Sequence, residues 1–282
     1  MHRIPIGFAY LASHGNSTRE AGQIQLRRRL RNCLTATLQY TFSKSIDDDS
    51  ALGGQGALAA TQITQPSSSG PATVVLGGTS HSARQNSPTI AQNWLDLRAE
   101  RGLSTFDQRH LLNTQLQYTT GLGLGGKTLL NGWKGMLFKE WTFLTQIAVG
   151  SGLPETPIYL AAVPGTGVTG SIRPDYTGAP IYTASSGLFL NPAAYTAPLP
   201  GHWGSAGRNS IIGPAQFTLN AAIARTFRLD GRFNLDLRMD STNLLNHVTF
   251  TSWNATVNST QFGLPATANS MRSLETTLRL RF

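Results

Sequence analysis

The sequence predicts an all-β chain: an antiparallel up-and-down transmembrane β-barrel segment of about eight strands, with long extracellular loops and short periplasmic turns. Three observations predict it. Segments along the whole chain alternate apolar and polar residues with the period of two that a strand imposes. No stretch of about 18 apolar residues occurs, so strands that pair with one another are the only way this chain could enter a membrane. The connections between strands run short and long in turn.

Ile4, Ile6, Phe8 and Tyr10 mark the first strand, and Ile24, Leu26 and Leu30 the second. A third follows at once, with Leu34, Ala36, Leu38, Tyr40 and Phe42 opposite Thr35, Thr37, Gln39, Thr41 and Ser43. The fourth runs from near Arg109 to Tyr118, with Leu112, Leu116 and Tyr118 against Asn113, Gln115 and Gln117. The fifth sets Trp141, Phe143, Ile147 and Val149 on one side. In the sixth, Phe217, Leu219, Ala221, Ile223 and Phe227 oppose Gln216, Thr218, Asn220 and Arg228.

An Asp230-Gly231 turn, a strong hairpin signal, leads into the seventh strand. There Phe233, Leu235, Leu237 and Met239 oppose Arg232, Asn234, Asp236, Arg238 and Asp240. Four charges on one face would all need partners in a dry core, whereas a water-filled or plugged lumen accepts them. The last strand places Leu274, Leu278, Leu280 and Phe282 on one face and Glu275, Thr277, Arg279 and Arg281 on the other.

Successive connections are about three, sixty, fewer than about twenty, about sixty, two and roughly twenty-five residues long, and structureless loops of about sixty are rare in soluble domains. Because up-and-down strands reverse direction each time, every long loop emerges on one side, as in outer-membrane barrels. Tyr40 and Phe42 then fall at the long-loop rim and Trp141 and Phe282 at the short-turn rim, where aromatic girdles sit. The last strand runs from outside to periplasm, which puts Phe282 at the periplasmic rim. The long loops are low in charge and rich in small polar residues, as in the run from Gln65 to Pro71. They read as exposed and partly mobile, with no separately folding domain among them.

Composition agrees. Charged residues make up 13% of the chain, against roughly 25% in soluble globular proteins. The net charge of +9 would suit a nucleic-acid partner, but the arginines outside Arg27, Arg28, Arg29 and Arg31 are scattered singly, without stacking aromatics, so no nucleic acid is expected. Cys33 is the lone cysteine and forms no internal disulfide. The first residues lack the apolar run of a signal peptide.

Catalytic and cofactor patterns are missing. His14, His81, His110, His202 and His247 are far apart without metal-ligand spacing, and there is neither a G-x-S-x-G elbow nor a P-loop, so no enzyme, metal or cofactor is expected. Asp47-Asp48-Asp49 is the one acidic run. It offers oxygen ligands to a divalent cation, or it is a solvated loop that repels anions, which is the favoured reading.

Five segments occur in order: Tyr40-Thr41-Phe42-Ser43-Lys44-Ser45-Ile46-Asp47-Asp48, Phe106-Asp107-Gln108-Arg109-His110, Asn191-Pro192-Ala193-Ala194-Tyr195, Gly207-Arg208-Asn209-Ser210 and Asn243-Leu244-Leu245-Asn246-His247. Together they resemble the carboxyl-terminal barrel region of Oar-like TonB-dependent outer-membrane receptors, and the resemblance spans nearly the whole chain. It implies a large barrel filled by an amino-terminal plug, and substrate uptake powered by an energy-coupling protein. On this reading residues 1–282 are the carboxyl-terminal part of such a receptor, with signal peptide, plug, coupling box and carboxypeptidase-regulatory-like domain absent.

The expected partners are outer-membrane lipid, an extracellular ligand of unknown class, and the barrel-assembly machinery, whose terminal-aromatic signal Leu274, Leu278, Leu280 and Phe282 resemble. The energy-coupling protein would be reached only through the missing amino-terminal region. Residues 46–100 and 151–214 are the expected ligand-contacting loops. Arg232, Arg238, Arg279 and Arg281 are the expected lumen-facing cations. The alternative is a self-contained eight-stranded outer-membrane barrel with an adhesive or structural role.

Overall fold

The computed structural model describes residues 14–30, 34–48, 91–93, 96–121, 132–166, 170–230 and 233–282. Its main sheet is a meander of long antiparallel strands: β1 (Ser17–Leu30), β2 (Leu34–Asp47), β3 (His110–Thr119), β4 (Thr142–Gly150), β5 (Gln216–Asp230), β6 (Phe233–Thr242) and β7 (Ser273–Arg281). Each pairs with its neighbour in chain order, and the two-residue strand Gly102–Leu103 adds to the end of β2. These strands coincide with seven of the alternating segments. The expected first strand, Ile4 to Tyr10, lies outside the described residues. β1 and β7 do not pair with each other, so the sheet is open.

The register carries one apolar stripe from edge to edge. Leu26 pairs with Leu38, Tyr40 with Leu112, Leu112 with Val149, and Val149 with Phe217. Farther along, Phe143 pairs with Ile223, Ile223 with Met239, Leu237 with Leu278, and Leu235 with Leu280. Successive side chains point to opposite faces, so this one registration places the polar partners in rows on the other face. One such row runs Arg27, Thr37, Gln115, Gln146 and Asn220. A one-residue slip in any strand would put amides among leucines, which is why the hydrophobic pattern sets the pairing.

The connections from β2 to β3, from β4 to β5 and from β6 to β7 all join the sheet at the end where Asp47 and Gly150 lie, while those from β3 to β4 and from β5 to β6 join it at the other. Phe282 sits at the short-turn end, 95% exposed. Two connections differ from expectation. Asp230 is the last residue of β5 and pairs with Phe233, so it belongs to the strand and not to the turn. The connection 120–141 is longer than expected because it contains a helix, α1 (Gly132–Phe138).

The run from Gln65 to Pro71 lies outside the described residues, whereas within 151–215 and 243–272 the described residues overturn the expectation of exposed, partly mobile loops. The buried hydrophobic core lies in them: Leu190, Ala194, Tyr195, Ala206, Ile211 and Phe262 pack together, supported by Trp253 and Val257. Small ladders tie them, Pro154–Glu155 with Ile211–Ile212, Asp175–Tyr176 with Tyr195–Thr196, and Phe250–Trp253 with Pro265–Ala268. The long strands themselves bury little, because both faces of the open sheet are accessible.

Candidate functional site

At the long-loop end of β2 the burial alternates. Ser43, Ser45 and Asp47 are buried while Phe42, just before them, and Lys44, between the first two, are exposed. The buried set is on the polar face, so the loops fold over that face at the mouth of the sheet. What covers it is a cluster of buried ions. The Asp47 carboxylate meets the Arg208 guanidinium at 2.5 Å, with side chains 2% and 0% exposed. Arg208 also donates to the backbone carbonyls of Asp47 and Glu100. Gly102 leaves room for this: a Cβ there would lie 2.5 Å from the Arg208 carbonyl oxygen.

Glu100 repeats the arrangement. Its carboxylate accepts from Arg173 at 2.9 Å and from the Gln92 backbone N–H at 2.9 Å. Gln92 accepts from the Arg173 backbone N–H and donates to the Gly204 carbonyl, both at 2.8 Å. Burial pulls the Arg173 pKa below its ordinary value, against the opposing pull of Glu100. Charges this deep are tolerated because each is paired and further hydrogen-bonded.

The remaining motifs fasten the same mouth or brace the loops that form it. Asp107 accepts from the Ser45 backbone N–H at 2.6 Å, and Gln108 accepts from the Ser43 hydroxyl through its carbonyl and donates to the Ser151 carbonyl. Asn209, in the left-handed region at φ 52°, donates to the Leu103 carbonyl and accepts from the Thr156 hydroxyl. Asn191 caps the short 3-10 turn Pro192–Ala194 by accepting from the Ala193 N–H, and its amide donates to the Pro180 carbonyl. Asn243 accepts from the His247 N–H and donates to the carbonyls of His247 and Ser270. Tyr195 lies in the loop core, where burial pushes its pKa up to about 12.

The sequence-predicted residues fall as follows. Arg238, Arg279 and Arg281 share the polar face; Arg238 pairs with Asp240 at 2.7 Å, Arg281 with Asp236 at 2.7 Å, and Arg279 stands opposite Asp236 in register. Arg232 lies outside the described residues. Leu274, Leu278 and Leu280 are exposed on the apolar face against Ser241, Leu237 and Leu235. Asp47 is no part of a solvated loop: it is buried in β2 and committed to Arg208, an outcome invisible without its partner. Asp48 accepts from the Asn16 N–H at 2.6 Å, and Asp49 lies outside the described residues. Among the described residues no group of three His, Cys, Asp or Glu side chains converges as metal ligands would.

In the sequence Asp107 and Arg208 stand out only as motif letters, Asp47 also as the head of an acidic run, and Glu100, Arg173 and Arg225 are not marked as site residues. For Arg225 a signal existed: its odd number puts it in the apolar register of β5, between Ile223 and Phe227. It carries a charge into the face otherwise given to leucine and phenylalanine. Its guanidinium lies 5.5 Å from the Trp141 ring centre and 4.6 Å from that of Phe227, and it donates to the Leu137 carbonyl.

An open meander with one mainly apolar face, a polar face lined with amides and paired ions, and every long loop at one end is the wall of an outer-membrane barrel. No curated protein and no solved structure matches the chain. A family model described as an outer membrane beta barrel domain matches residues 6–275. The chain therefore belongs to the outer membrane beta barrel domain family, and its place is the bacterial outer membrane.

Proposed function

We propose that this chain is the barrel-wall and loop portion of a TonB-dependent receptor of the Oar-like type, taking up a substrate captured by the extracellular loops. The observation that carries the reading is that three of the five motifs behind the resemblance fasten those loops over the polar face and the other two brace the loops internally. Asp47 with Arg208 and Asp107 with Ser45 tie the loops to the end of β2, while the side chains of Asn191 and Asn243 hold turns within the loops. A chain that folds its loops inward at the mouth is suited to presenting a binding surface to the outside and a path to the lumen. The role is non-covalent: capture by the loops, then passage along a lumen whose wall carries Arg238, Arg279 and Arg281. Energy coupling belongs to the amino-terminal plug region of such receptors and is assigned to none of these residues.

Peptide mapping of the mature protein from native outer membranes tests the proposal. The receptor reading expects peptides of this chain in one polypeptide well above 30.3 kDa. A mature product of about that mass, with cysteines placed in the first and last strands crosslinking to each other, would replace it by the self-contained barrel.

A further inference from the structure

The short-turn end carries a feature that neither membership of the barrel family nor the receptor reading uses. Strands β3 and β4 stop at Thr119 and Thr142, while the β5–β6 hairpin continues past them to Asp230 and Phe233. The overhang leaves a step on the apolar, lipid-facing side, and α1 covers it. A helix of two turns does not hold itself. It is pinned by Trp141, whose indole N–H donates to the Leu137 carbonyl at 3.0 Å, by the Thr120 hydroxyl donating to the Phe138 carbonyl, and by Arg225. Between helix and step lies a groove of about 640 Å³. Tyr118, Phe143, Ile223 and Phe227 form its floor, and Arg225 is the one charge among the described residues that line it.

We infer that this groove is a phospholipid site: it takes one acyl chain of a periplasmic-leaflet phospholipid and binds that lipid's phosphate through Arg225. The floor is continuous with the apolar stripe that faces the hydrocarbon, so a lipid chain reaches it without leaving the bilayer. Arg225 stands beside Trp141 at the aromatic rim, the depth of the headgroups. A guanidinium presents planar donors matched to phosphate, and the described residues lining the groove include no carboxylate. Trp133, 68% exposed, and Leu137 and Phe138 on α1 extend the same apolar surface into the interface.

The test uses the full chain, extracted from outer membranes, delipidated in mild detergent and titrated with phosphatidylglycerol under native mass spectrometry. One saturable lipid adduct is expected. Arg225→Gln weakens it by about tenfold, the scale of one charge-assisted phosphate contact, and Ile223→Trp, which fills the groove, abolishes it. In the unaltered chain dodecyl phosphate displaces the adduct and dodecyl maltoside does not. Adducts that accumulate without saturation, or equally in all three proteins, are ordinary boundary lipid and overturn the inference. Equal displacement by the two competitors overturns the role of Arg225.

Discussion

Asp47 and Arg208 are 161 positions apart in the chain and meet with their side chains almost wholly out of water. Removing one partner strands the other as an uncompensated buried charge, which costs about 3–5 kcal/mol. Asp47→Asn is therefore expected to loosen residues 151–215 without unfolding the strands, seen as faster amide exchange confined to the loops. Arg238→Ala, which breaks an ion pair open to solvent, is expected to leave that exchange pattern unchanged. Tyr195 gives a second residue-level prediction. Its pKa is raised from 10.0 to about 12 by burial, so the folded loop favours the neutral phenol. The stability this contributes is complete below pH 10 and disappears as pH rises towards 12. Tyrosinate absorbance should show a group titrating near pH 12 that is lost in Tyr195→Phe, with loop exchange accelerating over the same interval.

Among the elements, β7 separates the two faces most cleanly. Leu278 pairs with Leu237 on the lipid side, and its neighbour Thr277 faces Arg238 on the polar side. An arginine at 278, near the middle of the strand, should cost about 2–4 kcal/mol, and one at 277 much less. Urea unfolding in lipid vesicles, followed by heat-modifiable gel mobility, measures both. Phe282 belongs to the same element but to a different process. If it is read by the barrel-assembly machinery, deleting it should lower the amount of folded protein in the outer membrane and leave in vitro stability nearly unchanged. Equal losses in both measurements would make Phe282 a packing residue instead.

For the whole molecule, the consequence of the loop core is that length does not mean disorder. Residues 170–215 should resist protease added to intact cells. Ile211→Asp, which buries a charge at a fully covered position, should open them to cleavage while the barrel mobility on gels persists. The strands were legible beforehand, because alternation is written into each segment: Leu34 to Phe42 and Phe217 to Phe227 announce both their element and their face. The loop core was not legible. Leu190, Ala194 and Phe262 have no periodicity, and they become a core only when two connections far apart in sequence are brought to the same end of the sheet. The same holds for Arg225. Its register was readable, but its shelter under α1 was not, since a seven-residue helix has no local stability to announce itself.

The sequence by itself determined what a period of two can determine: where the strands run, which side chains share a face, which end bears the long loops, and that the last strand finishes at the short-turn rim. Those are local properties of the pleated chain, settled within a few residues. Only the tertiary structure decided that the loops fold back over the polar face, that Asp47 and Glu100 find Arg208 and Arg173 there, and that α1 shields a cation on the lipid face. Such pairings depend on contacts across 73 to 161 residues, and a buried charge is stable only once its distant partner has arrived.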